Sequence, residues 1–347
     1  MKTTEQGRRI TGIGSLPHSN IDSALEFSMR LGIPYLPQIP IRNPWEYMIP
    51  QALDGLPGIQ LEAGGTLSLQ LDLWESQSHH LDRRLARAFE TENFDEFEPL
   101  ASTSGGWQPF LWELRERGHS TAKIQIAGPF TSQWAIQIKG NSSTPLLSEL
   151  SGQIFRLTLA RSLAMVRRLT AEKIHPTFML DEPGLFAYSS HNPKHLSALK
   201  EISLMVQSLK KAGATVGIHC CGNTDWSAVV QTGIHLLSLD TSLSLPAALA
   251  PTHRPALESW LNSGGRFCFG VIPTETETQK ESSQVPHLVE QLKKNLNSSW
   301  IGETGKTQKV LEQAIYTPAC GLALHSISEA ESVLETLVSF YETLFPY

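Results

Sequence analysis

Residues 217–224 read Gly-Ile-His-Cys-Cys-Gly-Asn-Thr and close a short apolar run, Ala214–Cys220. Side chains alternate along a strand, so His219 and Cys221 are expected on one face and Cys220 on the other. An imidazole and a thiolate offered to one point is zinc chemistry, because zinc accepts nitrogen and sulfur at about 2.0–2.3 Å. Two plainer readings stand beside it. One is a buried cysteine pair next to a core histidine; the other is a vicinal redox pair, which opposite strand faces disfavour. A third ligand has to come from another strand end. Cys320, in Tyr316-Thr317-Pro318-Ala319-Cys320-Gly321-Leu322, follows one apolar run, and Asp240, in Ser238-Leu239-Asp240-Thr241-Ser242, ends another. Cys268, between Phe267 and Phe269, reads as core.

Two more segments carry usable groups. Ile13-Gly14-Ser15 follows the first apolar run, and its glycine, the Ser15 hydroxyl and nearby N–H groups suit a carboxylate. Leu180-Asp181-Glu182-Pro183-Gly184 follows the fourth, where two carboxylates suit an ammonium group or an acid–base pair. A helix cap is the structural alternative for Asp181. His79-His80 sits among Asp82, Arg83 and Arg84 and reads as a solvated face.

These groups need a scaffold that gathers strand ends. Eight runs read as strands: Arg9–Gly14, Pro34–Ile39, Lys123–Ala127, Pro176–Leu180, Ala214–Cys220, Leu236–Leu239, Arg266–Val271 and Gln313–Thr317. Most are apolar throughout, as parallel strands covered on both faces are. Helical periodicity fills the intervals at Ile21–Leu31, Leu146–Thr170, Pro193–Ala212, Asp225–Gln231, Leu245–Asn262, Gln284–Leu296 and Ile327–Leu344. The alternation predicts an α/β fold, a single (β/α)8 TIM barrel over residues 1–347, with a doubly wound open sheet as the other architecture. In a barrel the C-terminal strand ends face the active site. An insertion at about 56–122 separates the second and third strands; Thr66–Leu73 within it alternates like a hairpin or edge strand. Thr274–Ser283 reads as an exposed loop.

Composition narrows the function. Of 347 residues, 40% are hydrophobic and 18% charged, enough to bury a core. The net charge of −6 argues against bulk nucleic-acid binding. No apolar run approaches the roughly 18 residues of a membrane span, and the start lacks a signal-peptide core. A cytoplasmic protein is expected, and four cysteines in this length do not make a disulfide scaffold.

Taken in order, Ile13-Gly14-Ser15, Asp181-Glu182-Pro183, His219-x-Cys221 and Thr317-Pro318-x-Cys320-Gly321-Leu322 resemble the catalytic C-terminal barrel of cobalamin-independent methionine synthase. His219-Cys220-Cys221-Gly222-Asn223-Thr224 is also similar to the zinc motif of methylcobalamin:coenzyme M methyltransferases, of the same superfamily as uroporphyrinogen decarboxylase. The resemblance implies zinc held by His219, Cys221 and Cys320, with Asp240 where the synthases have a zinc-binding Glu. It implies that Ile13, Gly14 and Ser15 hold the carboxylate of homocysteine and Asp181 its amino group. The substrate thiol would then react as a thiolate with a methyl group held in line. The family's histidine after the seventh strand is missing from Gly270-Val271-Ile272-Pro273-Thr274, and the family's second amine-binding Glu has no counterpart in Pro37-Gln38-Ile39-Pro40, with Glu46 nearby. With no room for the folate-binding N-terminal barrel, a methylated corrinoid, free or on a protein, is the donor the resemblance favours. The competing expectations are a decarboxylase of the uroporphyrinogen type, for which Arg8-Arg9 is a poor match, and a non-catalytic zinc or corrinoid carrier.

Overall fold

The computed structural model describes residues 7–62, 65–139, 144–274 and 285–346. Its strands are β1 (Ile59–Leu61), β2 (Leu67–Gln70), β3 (Thr121–Ala127), β4 (Ile136–Lys139), β5 (His175–Asp181), β6 (Thr215–His219), β7 (Leu236–Asp240), β8 (Arg266–Ile272) and β9 (Ile315–Pro318). Six form one parallel sheet in the order β3-β5-β6-β7-β8-β9. Helices Thr144–Ala171, Pro193–Lys211, Trp226–Gln231 and Arg254–Asn262 fall between successive strands, and Ile327–Leu344 follows β9. Parallel neighbours need such crossovers, because a tight turn can join only antiparallel strands.

Local chemistry explains the boundaries. Asn192 caps the Pro193–Lys211 helix by accepting from Lys194 N–H, Pro193 opens it, and Lys210 and Lys211 face its negative end. A capping box between Ser326 and Glu329 starts the last helix. The single helix expected over Leu245–Asn262 is two, Leu245–Ala248 and Arg254–Asn262. Pro251 lies between them, and a proline inside a helix loses an N–H bond and crowds the preceding turn.

The first two expected strands are not regular strands. Segments 9–16 and 33–39 make isolated parallel bridges, Ile10 to Tyr316, Ser15 to Gln38 and Tyr35 to Lys123. Backbone bonds accompany them, including Tyr316 N to Arg9 O at 2.8 Å, Ile33 N to Ile10 O at 3.0 Å and Lys123 N to Pro34 O at 2.7 Å. The two segments therefore run between the β9 edge and the β3 edge, but among the described residues the regular strands of this sheet number six, not eight. Pro34 and Pro37 have no N–H to give a ladder.

The expected insertion holds two helices, Leu71–Thr91 and Trp107–Glu116, and part of a small sheet ordered β1-β2-β4. Leu67 and Leu69 are strand residues, whereas Leu71 and Leu73 already belong to the helix, so the alternation read over Thr66–Leu73 spans a change of element. The third strand, β4, lies after β3 in the chain, so residues beyond the insertion complete this sheet. His79 and His80 are exposed on the long helix. Residues 275–283 of the expected Thr274–Ser283 loop lie outside the described residues. No helix among the described residues is long and apolar enough to cross a membrane.

Each main strand has two working faces. Ile124, Ile126, Phe178, Leu180, Val216, Ile218, Leu237 and Leu239 join the helices in the large core. The other face forms a small cluster of Met179, Leu236, Cys268 and Ile315, flanked by Ile33. Gly217 belongs to that inner face, where an added Cβ would lie 2.7 Å from Met179 Sδ and 2.8 Å from Leu236 Cβ. Gly217→Ala should therefore destabilise the fold by about 1–3 kcal/mol, read as a lower denaturation midpoint at unchanged slope.

Candidate functional site

Register places the polar groups. Asp181 pairs with His219, and His219 with Ser238, so three inward side chains stand in one row across β5, β6 and β7. Asp181, His219 and Ser238 line a small interior cavity with Thr11, Ile13, Lys123 and Cys268. Its free volume of about 10 Å³ is roughly one water. A substrate must therefore bind above this layer, at the strand ends, not within it.

His219 is buried, and its Nδ1 lies 2.9 Å from Ser238 Oγ. Burial lowers its pKa to about 4, so the ring is neutral at physiological pH. Ser238 Oγ can accept from Nδ1–H, and in that tautomer Nε2 keeps the lone pair; a hydrogen bond to one ring nitrogen commonly orients the other toward a metal.

Two residues beyond β6 the chain presents Cys221, and two beyond β9 it presents Cys320. These thiols, far apart in sequence, hydrogen-bond to each other. That bond lowers the pKa of Cys221 and raises that of Cys320. Cys320 is exposed and Cys221 partly so. Cys220 turns away into the large core, where burial raises its thiol to about 11. Cys268 is buried in the inner cluster and pushed up to about 12 by desolvation.

Asp240 Oδ1 accepts from Ser242 N at 2.6 Å and Leu243 N at 2.9 Å, which shapes the turn after β7. Its charge also bears on Cys320. Among the described residues, no three His, Cys, Asp or Glu side chains stand around a point that would hold a metal ion. Two thiols meet, with the imidazole in the row beneath.

The two carboxylates after β5 differ. Glu182 accepts from Phe130 N at 3.1 Å, Thr131 N at 2.7 Å and Thr131 Oγ1 at 2.6 Å. It caps the Pro129–Trp134 helix from a neighbouring loop, with both oxygens engaged. Asp181 is buried, and its Oδ1 has no hydrogen-bond partner among the described residues. Desolvation raises its pKa and Lys123 opposes that rise. Of the pair, Asp181 is the one with capacity left for an ammonium group.

Ile13 and Ser15 line a second small pocket with Cys320 and Gly321, and Gly14 between them packs against Gln38 and Gln125. Leu322 N donates to Ser15 O at 2.8 Å, and a Cβ on Gly321 would lie 2.2 Å from Ser15 Oγ. Only glycine lets the Cys320 loop lie so close to Ser15. Glu46 is buried and engaged, accepting from Ile39 N at 3.0 Å, Gly105 N at 3.2 Å and Arg42 Nη1 at 3.0 Å. Arg8 pairs with Glu342 on the last helix. Lys123 escaped notice at the level of sequence. The signal was present: Lys123 and Gln125 alternate with Ala122, Ile124 and Ile126, which puts both polar groups on the inner face.

No family model matches the chain, and no curated protein matches it. Among solved structures, it is similar to a B12-independent methionine synthase from Shewanella sp. W3-18-1 in complex with selenomethionine. That likeness has 14% identity and a TM-score of 0.45, over 68% of this chain and 66% of that one. A protein from Streptomyces avermitilis assigned as an orotidine 5′-phosphate decarboxylase is similar at 12% identity and a TM-score of 0.29, over 69% of this chain and 94% of that one. Neither likeness is close enough to decide the fold or the activity.

Proposed function

We propose that this chain is a zinc-dependent methyltransferase that moves a methyl group to a small thiol, homocysteine first among acceptors, from a methylated corrinoid. The observation that carries the reading is the meeting of Cys221 and Cys320, from two distant strand ends, beside buried His219 and partly unpaired Asp181. In the same reading, segments 9–16 and 33–39 complete an eight-stranded barrel around that row.

The donor set suits zinc in kind: two thiols and a neutral imidazole whose Nδ1 is already held. His219, Cys221 and Cys320 would be the ligands, with Asp240 beside Cys320 as the acidic group. Zinc would supply one thing, a substrate thiol held as its thiolate at neutral pH. The chain's own residues do the rest. Asp181 Oδ1 would take the substrate ammonium group, and the backbone and hydroxyl at Ile13, Gly14 and Ser15 would take its carboxylate. Held at both ends, the amino-acid thiol has its sulfur aimed at the donor, and fixing that approach lowers the entropic barrier to transfer. The attacking sulfur would form the new S–CH3 bond as the bond between the methyl group and its donor breaks, the electron pair of that bond leaving with the donor.

Metal analysis of the purified protein and of Cys320→Ser tests this directly. About one zinc per chain is expected in the first and little in the second. A wild type that stays metal-free after zinc addition, with its thiols reduced, would overturn the reading.

A further inference from the structure

Lys123 is a charged side chain at the centre of an apolar sheet, and the mechanism above does not use it. It is 1% exposed. Its Nζ donates to Ile13 O and, at 3.0 Å, to Gln125 Oε1. Gln125 is fully buried and in turn donates Nε2 to Leu36 O at 2.7 Å. The same Gln125 lies so near Gly14 that an added Cβ would come within 2.9 Å of its Nε2. Two neighbouring inward residues of β3 thus grip one carbonyl in each of the two segments that lack a regular ladder.

That pairing has a physical reason. Segments 9–16 and 33–39 are held by single bridges and separate backbone bonds, such as Leu36 N to Lys123 O at 2.9 Å and Gln38 N to Gly14 O at 3.0 Å, not by a continuous ladder, so a side-chain tie adds to that hold. A buried ammonium group needs acceptors around it to offset lost hydration, and the Ile13 carbonyl is one. Of the opposite charges acting on Lys123, Asp181 has the largest effect, and His219 also feels the Lys123 field. One side chain therefore connects the Ile13-Gly14-Ser15 loop to the row of Asp181 and His219.

We infer that Lys123, with Gln125, is a positioning residue that straps the Ile13–Ser15 loop to β3 and so sets the site that recognises the carboxylate of an amino-acid thiol. The role of the strap in recognition rests on the thiol-methyltransferase reading; the strap itself does not.

Two readouts on Lys123→Met separate these. The first is amide hydrogen exchange, which needs no ligand. Leu16 and Gln38, whose N–H groups bond to Gln38 O and Gly14 O, should lose protection by roughly tenfold or more. Amides within β5 to β7 should keep theirs. Unchanged exchange at Leu16 and Gln38 overturns the strap. The second is the dissociation constant for homocysteine against that for 3-aminopropane-1-thiol, the same thiol without its carboxylate. Wild type should prefer homocysteine, and Lys123→Met should lose roughly tenfold of that preference, the scale of one charge-assisted contact. A structural defect alone weakens both thiols alike, and that result, with exchange altered, overturns the recognition role. A wild type that binds neither thiol overturns the thiol reading and the recognition role together, while exchange still decides the strap. If Lys123→Met does not fold, Gln125→Leu carries the exchange test at Gln38 and the same thiol comparison.

Discussion

On the proposed zinc-dependent reading, replacing Cys221 by serine is expected to cut thiol methylation by at least ~10²-fold and to remove most of the zinc, with the thermal midpoint nearly unmoved. Cys221 is partly exposed, and its recorded side-chain contact is with Cys320. A hydroxyl at that place packs no worse, but it is not a soft anionic ligand and does not replace a thiolate at zinc. Cys268 is the internal control. It is buried in the inner cluster with Met179, Leu236 and Ile315, where desolvation keeps its thiol neutral. Cys268→Ser should cost about 1–3 kcal/mol of stability and leave zinc and turnover alone. Metal content, initial rate and thermal midpoint measured on both variants make a matched pair. Full zinc and full rate in Cys221→Ser would remove the thiol pair from the mechanism.

The second large effect is on stability and falls at Glu182. Glu182→Ala leaves Phe130 N, Thr131 N and Thr131 Oγ1 buried without their acceptor, a loss of about 3–5 kcal/mol. Glu182 also has a pH signature. Desolvation raises its pKa from 4.5 to about 7, although three hydrogen bonds favour the charged form. The folded state therefore holds the proton more tightly than the unfolded chain. Its contribution to stability is complete below about 4.5 and is lost as pH rises through about 7. Glu182→Gln keeps the shape and cannot titrate. The stability difference between wild type and Glu182→Gln should thus move against the wild type by roughly 3 kcal/mol between those two pH values. Chemical denaturation of both proteins across that window reads it out. Asp181 titrates in both proteins and its charge acts on Glu182, so the difference reports Glu182 together with its coupling to Asp181. A pH-independent difference would mean that Glu182 is already charged at low pH and that its hydrogen bonds outweigh desolvation.

Much of this molecule was legible in the chain itself. The six runs from Lys123–Ala127 to Gln313–Thr317 are strands in the structure, shifted by one or two residues, because buried parallel strands are apolar on both faces and stand out from amphipathic helices. The final helix, Ile327–Leu344, has its expected ends, because a capping box marks the first of them. The opposite orientations of Cys220 and Cys221 followed from strand alternation. The second expected strand misled, because apolar content does not reveal where Pro34 and Pro37 deny a ladder its donors; the first, Arg9–Gly14, has no proline and still makes only single bridges. The alternating leucines of Thr66–Leu73 misled for a related reason: a period of two over eight residues was read across a strand and a helix start.

The sequence by itself determined which residue types exist at which strand ends: an imidazole and a thiol two positions apart, a second thiol after the last strand, two adjacent carboxylates, and a glycine-bearing loop near the start. Those are local facts, set by alternation and by turn residues. Only the tertiary structure decided which of them meet. Sheet register put Asp181, His219 and Ser238 in one row, and the loops after β6 and β9 brought Cys221 to Cys320. It also divided two neighbouring carboxylates, giving Glu182 to a helix terminus and leaving an oxygen of Asp181 unpaired. It showed Lys123 holding the Ile13 carbonyl across 110 positions of chain. Contacts of that range depend on how strands are ordered and staggered in the sheet, and no local pattern of residues encodes that order.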